Sequence, residues 1–300
     1  MSLIFDKGNY FTIFEAEDDC LKNSIHLLQQ LIHQIKNKNM QTYLKKTAIF
    51  ILAIIFSTQT FAAPNAKWNS DESIKRLNRS QSKNDFYQLV NFYQPQINPL
   101  YCSVATGVIL LNATYANDKI PSQKENQIKR PKAAGGGISE FHSYSQLGFL
   151  NEKTDKIKKR EILQLKTAAG FREGKEFFDG GLSLADFAKI LTEVYQFVVQ
   201  ENHVEKNDEA ARQNFRQELQ KYLSDSKNFV VVNFDGKIVG NNTGGHFSPL
   251  AAYDEESDSV LILDVALHKT NWYWVDLDKL FEALNTKDED TYRGYLVVSR

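Results

Sequence analysis

The apolar residues of this chain change their spacing along its length, from a helical period to short strand-like runs. Between Cys102 and Asn117, Val104, Val108, Leu111 and Tyr115 recur at helical intervals. Pro95 and Pro99 forbid a helix that begins much earlier, so Cys102 is predicted at or next to the first turn. Gly181–Leu191 reads as a second helix, with Ser183 as N-cap and Asp186 three residues on. A third spans 207–224, with Ala210, Phe215, Leu219 and Leu223 on one face. Beyond it, Phe229–Phe234, Phe247–Tyr253, Ser259–Val265, Trp272–Val275 and Gly294–Ser299 are short β-rich runs separated by turn residues. Helices first and an antiparallel sheet later predict one α+β domain over 86–300, without internal repeats. Residues 64–85 are polar and poorly periodic, and are expected to be a loose linker. Residues 118–140, with Pro121, Pro131 and Gly135–Gly137, read as a long exposed loop.

One apolar run does not belong to this pattern. Lys45 and Lys46 precede Thr47–Phe56, and small residues follow to Ala63. Charge, apolar stretch and small-residue exit make a secretory signal peptide over 40–63. The run is too short to span a bilayer comfortably, which wants about 20 residues. The only methionines are Met1 and Met40, and a start at Met40 would make 1–39 an upstream extension. The expectation is an exported bacterial protein, periplasmic or secreted, with no stable membrane insertion after cleavage. An uncleaved leader would instead anchor it to the inner membrane. Cleavage removes Cys20 and leaves Cys102 as the single thiol, which in an exported protein calls for a reason.

Composition narrows the function. With 36 basic and 37 acidic side chains there is no basic surface for nucleic acid. Two cysteines exclude a disulfide-stapled scaffold and a Cys-only zinc site. His142, His203, His246 and His268 show no paired ligand spacing, so no protein metal site is expected. Gly135–Gly137 follows no strand and lacks the Lys-Ser/Thr of a phosphate loop, and reads as a loop tip.

The chemistry gathers around Cys102. A thiol at a helix N-terminus has its thiolate stabilised by the free N–H groups and partial positive charge there. A thiolate nucleophile also needs an imidazole, and a third group to orient it. His246 closes the turn Gly240–Gly245 and enters Phe247–Tyr253, and the turn Asp254–Asp258 returns the chain along Ser259–Val265. A hairpin centred near residue 255 or 256 sets position 246 against 264–266, which brings Asp264 beside His246. A carboxylate inside that apolar run is expensive to bury without a partner. His268 is a competing base with nothing comparable to orient it. An oxyanion would find the Cys102 N–H and one side-chain amide from Gln94, Gln96 or Asn98.

These residues sit in recognisable surroundings. Gln96–Ala113, QINPLYCSVATGVILLNA, resembles the nucleophile region of phytochelatin synthases. GGHFSPLAAY at 244–253 resembles that family's histidine motif, and LILDVA at 261–266 its aspartate motif. Gly181–Asp186 and Arg293–Ser299 are similar as well. Two departures stand out: Ser103 replaces the glycine usual after the nucleophile, and the stretch Asn285–Asp288 is shortened.

The resemblance implies a papain-like cysteine peptidase fold. It also implies a Cys102–His246–Asp264 triad, with Gln96 as the oxyanion donor and Arg293, Asp288, Gly245 and Tyr101 at the substrate. The implied reaction cleaves the Cys–Gly bond of glutathione, or of its conjugates, through a γ-Glu-Cys acyl-enzyme. The resemblance stops with the catalytic region, as in the prokaryotic phytochelatin synthase-like proteins, so hydrolysis with weak transfer is expected. No tightly bound cofactor is implied; cadmium or zinc would enter as a glutathione thiolate complex or activator, and the protein is expected to be a homodimer. The alternatives are another papain-like peptidase or amidase, and a non-catalytic thiol or metal-ion binding protein.

Overall fold

A computed structural model describes residues 65–115, 127–140, 143–163, 169–172, 175–178 and 180–299. The leader, Cys20 and His142 lie outside the described residues.

The chain opens with β1 (Ala66–Lys67), α1 (Asp71–Arg79), α2 (Asn84–Asn91) and α3 (Cys102–Tyr115). An exposed hairpin, β2 (Gln127–Lys129) and β3 (Ile138–Glu140), carries the glycine run at its tip, where Gly135, Gly136 and Gly137 all take positive φ. There follow α4 (Gln146–Phe149), the hairpin β4 (Ala169–Arg172) and β5 (Lys175–Phe178), α5 (Leu184–Lys189), β6 (Val198–His203) and α6 (Glu209–Leu223). The last third holds β7 (Asn228–Asp235), β8 (Gly245–Asp254), β9 (Ser259–Ile262), β10 (Tyr273–Asp276) and α7 (Leu277–Leu284). It closes with β11 (Lys287–Asp288), β12 (Thr291–Tyr292) and β13 (Gly294–Ser299). Ser183 caps α5 and Asp208 caps α6, each accepting a backbone N–H three residues on.

Seven strands form one sheet in the order β1-β10-β9-β8-β7-β13-β6, every pair antiparallel. The expected α+β architecture is what forms. Alternate residues of the sheet divide its faces: Val231, Phe247, Leu261 and Leu296 pack with α3 and α5, whereas Val230, Leu250, Ile262 and Val297 pack with α6 and α7. The sheet is thus sandwiched between two helical layers, and the strands read as continuous apolar runs because both faces are covered.

α3 is buried from Cys102 through Asn112, deeper than an amphipathic stripe requires. Gly107 makes that depth possible, because a Cβ there would lie 2.6 Å from the Phe149 ring. Each fully buried Leu or Ile on this helix contributes on the order of 2 kcal/mol of transfer free energy.

Residues 65–85 are not the loose lead-in expected above for 64–85. β1 pairs with β10, and α1 packs by hydrogen bonding rather than by an apolar stripe. Arg76 is buried and donates to Glu72 at 2.9 Å and to Ser259 Oγ at 3.1 Å. Trp274 Nε1–H donates to the buried Ser73 Oγ at 2.9 Å. Polar side chains carry this docking, so hydropathy periodicity misses it.

On α2, Asp85 is fully buried with neither carboxyl oxygen hydrogen-bonded. Burial, and secondarily the charge of Asp225, push its carboxyl from 3.8 up to about 9. Between those values the folded chain holds a proton that the unfolded chain has released. Stability therefore falls as pH rises across that window, by at most about 1.4 kcal/mol per pH unit. An Asp85→Asn protein is expected to unfold about 5 °C higher than wild type at pH 8 and at nearly the wild-type temperature at pH 4. Thermal melts at the two pH values check this, and equal midpoints at pH 8 would refute it.

Candidate active site

The start of α3 is set by local chemistry. Asn98 Oδ1 accepts the Leu100 N–H at 2.9 Å and its carbonyl accepts the Tyr101 N–H at 2.9 Å, a side-chain turn held by Pro99. The Tyr101 carbonyl then takes the Ala105 N–H at 2.8 Å, and the helix runs from Cys102. The Cys102 backbone N–H thus lies in the first turn, where helical N–H groups have no partner four residues back.

His246 is the second residue of β8, opposite Phe234. Its Nε2 is 2.8 Å from Asp264 Oδ1, which leaves Nδ1 for the Cys102 thiol, to which the imidazole is hydrogen-bonded. All three side chains are buried, with Cys102 only 8% exposed. The hairpin expected to join His246 and Asp264 is present, with one difference. A register shift between Leu250 and Ala252 ends β9 at Ile262, so Asp264 lies just past the strand rather than within it. There the Ala266 N–H donates to Asp264 Oδ1 at 2.8 Å, and Tyr93 O–H donates to the Asp264 carbonyl at 2.6 Å. Ser248 adds a second contact to His246 Nε2 at 3.3 Å while accepting the Val265 N–H at 3.4 Å.

Electrostatics follow from this packing. Burial pushes the Cys102 thiol up, but the hydrogen bond and charge of His246, with the N–H groups of Phe247 and Ser103, outweigh it and hold the thiol below its usual value. Burial pulls the His246 imidazolium down, yet the Asp264 carboxylate and the Cys102 thiolate drive it up to about 10. The geometry favours a thiolate–imidazolium pair.

The structure separates the three amides left open above. Gln94 Oε1 accepts from the buried Gln146 at 2.8 Å, and the Asn98 side chain is spent on the turn. Gln96 docks by its N–H on the Val265 carbonyl at 2.9 Å, next to Asp264 in sequence, and its Nε2 gives one proton to the Asn98 carbonyl at 2.9 Å. Its second amide proton has no such use.

Arg293, Asp288 and Gly245 are brought together. Arg293 Nη1–H donates to the Lys287 carbonyl at 2.6 Å and Nη2–H to Asp288 Oδ1 at 3.1 Å, while Nε is buried without a partner. The guanidinium lies over Gly245, where a Cβ would be 2.4 Å from Nη2. A charged fork therefore sits one residue from His246. Tyr101 is half-buried beside Cys102 in the chain, and burial pushes its phenol up. His268 is exposed, and His203 is engaged with Tyr292 and Glu201 on β6. Among the described residues no three His, Cys, Asp or Glu side chains gather as metal ligands, and no helix is long and apolar enough to cross a membrane. Ser248 and Tyr93 escaped the sequence reading, although the i, i+2 spacing from His246 places Ser248 on the same strand face.

A family profile described as phytochelatin synthase matches residues 56–132 and 139–295, which takes in every residue of this site. The chain belongs to the phytochelatin synthase family. The short stretch that the profile skips contains the glycine tip of the β2–β3 hairpin. Phytochelatin synthase relatives include glutathione gamma-glutamylcysteinyltransferase 3 of Lotus japonicus, 29% identical over 219 residues, covering 72% of this chain and 37% of that protein. Glutathione gamma-glutamylcysteinyltransferase 2 of Arabidopsis thaliana is 30% identical over 217 residues, covering 72% and 40%. The glutathione gamma-glutamylcysteinyltransferase of Schizosaccharomyces pombe is 33% identical over 86 residues, or 28% of this chain and 21% of that one. The chain spans well under half the length of these relatives.

Proposed function

We propose that this protein cleaves the Cys–Gly bond of glutathione through a thioester on Cys102, within a papain-like catalytic arrangement. The observation that carries the reading is the buried Cys102–His246–Asp264 line at the start of α3, with Arg293 over Gly245 beside it. Membership of a family whose relatives are named for γ-glutamylcysteinyl transfer from glutathione supports that substrate.

In the reaction, the Cys102 thiolate adds to the carbonyl carbon of the substrate's cysteinyl residue. The oxyanion is held by the Cys102 N–H and the second amide proton of Gln96. His246, protonated, gives its proton to the departing glycine nitrogen as the C–N bond breaks. Asp264 keeps the imidazole in the tautomer and orientation this requires. Neutral His246 then takes a proton from water, giving γ-Glu-Cys, or from the amine of a second glutathione, giving a longer (γ-Glu-Cys)n-Gly chain. The Arg293–Asp288 pair, and Tyr101 next to Cys102, would recognise the γ-glutamyl end and its charged groups. Cadmium or zinc would act as a glutathione thiolate complex, and the leader would place the reaction outside the cytoplasm.

Mass spectrometry of the mature protein incubated with glutathione, with and without cadmium, tests this. Release of glycine with γ-Glu-Cys, and loss of both in Cys102→Ala, is the expected result. Absence of product and of any +γ-Glu-Cys adduct on Cys102 would overturn it.

A further inference from the structure

Asp264 uses one carboxylate oxygen fully and the other not at all. Oδ1 serves His246 and the Ala266 N–H, whereas Oδ2 is buried and makes no well-formed hydrogen bond. Two more buried polar atoms are in the same condition, the Tyr273 phenol oxygen and Asn241 Nδ2. All three meet at one place. Tyr273 on β10 is opposite Ile262, two residues before Asp264, and its phenol lies within interaction range of both the Asn241 amide and the Asp264 carboxylate. Asn241 reaches them from the turn between β7 and β8, anchored by its N–H on the Gly236 carbonyl at 2.8 Å.

We propose that Tyr273 and Asn241 complete the catalytic line as positioning residues. Tyr273 donates its phenolic proton to Asp264 Oδ2, directly or through one water, and Asn241 donates its amide N–H to the phenol oxygen. The inference rests on the reading of Cys102 and His246 as the reacting pair. Burial, and then the Asp264 charge, hold the Tyr273 phenol well above its usual value, so it stays a donor throughout the working range. The other groups facing Asp264 are His246, the Ser248 hydroxyl and the Tyr93 hydroxyl on its carbonyl. None of them satisfies Oδ2. With the phenol in place the Asp264 carboxylate is held oriented toward His246. Without it, a buried carboxylate with a bare oxygen competes for the imidazolium proton, and the Cys102 thiolate loses its counter-charge.

Tyr273→Phe removes only the hydroxyl and keeps the ring among Ile262, Val239 and Val275. The readout is the pH dependence of Cys102 alkylation by iodoacetamide, which needs no glutathione, together with kcat and KM for glycine release. The alkylation limb is expected to move up by about one pH unit, and kcat to fall about tenfold at unchanged KM. Asn241→Ala, on the turn, should shift the limb in the same direction by less, and serves if the phenylalanine protein does not fold. A wild-type limb well below that of a free thiol, with an unshifted limb in both variants, overturns the role of Tyr273 alone, even if their unfolding temperatures drop. A wild-type limb at the free-thiol value overturns the reacting pair, and this inference with it.

Discussion

A His246→Ala protein is expected to release glycine from glutathione at least about a thousandfold more slowly than wild type, because the nucleophile and the acid are lost in one substitution. Burial alone would push the Cys102 thiol above the free value of about 8.5, and His246 is the main group that reverses this. The two titrate as a pair, with thiolate and imidazolium coexisting between a lowered thiol value and an imidazolium value of about 10. The signs follow. As pH falls through the lower value the thiolate is protonated, and alkylation and turnover fail together. As pH rises through the upper value the thiolate survives but the acid for the departing glycine is gone, so turnover fails while alkylation does not. Wild type should therefore show a bell-shaped kcat/KM and a single-limbed alkylation profile, and His246→Ala an alkylation limb at or above 8.5. Stopped-time alkylation between pH 5 and 10 reads this directly. An unmoved limb in His246→Ala would mean that the helix N-terminus alone tunes the thiol.

Much of this site was legible in the chain because its parts are local. Pro95, Pro99 and the spacing of Val104, Val108 and Leu111 mark where α3 begins, and hence where Cys102 stands. A tight hairpin carries His246 and Asp264, and counting outward from its turn is enough to pair them. The strand nevertheless ends three residues short of Val265, since a bulge is a packing outcome that alternation does not encode. Residues 65–85 depart from the expected linker because α1 is held by Arg76 and Ser73, whose partners Ser259 and Trp274 are distant in sequence. Tyr273 and Asn241 were invisible for the same reason. Only the sheet register brings β10 and the β7–β8 turn to the back of Asp264. The choice of Gln96 over Gln94 and Asn98 likewise needed Gln146, which consumes one rival, and the turn, which consumes the other.

Arg293→Ala is expected to cost about a hundredfold in kcat/KM for glutathione while leaving the alkylation profile of Cys102 unchanged. The guanidinium is largely buried, yet only two of its nitrogens are satisfied, by the Lys287 carbonyl and Asp288. A buried cation held by a β-hairpin carboxylate and lying over a glycine is costly to maintain for packing alone. It is well arranged to meet a carboxylate presented one residue from His246, at the end of the substrate remote from the scissile bond. Binding energy realised there positions the carbonyl without touching the thiolate–imidazolium pair. Lysine should rescue poorly, because a point charge cannot hold Asp288, the carbonyl and a ligand in the planar fork. The competing account is that Arg293 merely pins β11 and β12 to the start of β8. On that account Arg293→Ala would lower the unfolding temperature and raise the protease sensitivity of 287–292, with KM for glutathione unmoved. Initial rates over a glutathione series, with S-methylglutathione as a second donor and melting curves for both variants, separate the two. A wild-type KM in a destabilised protein would leave the γ-glutamyl end to other side chains.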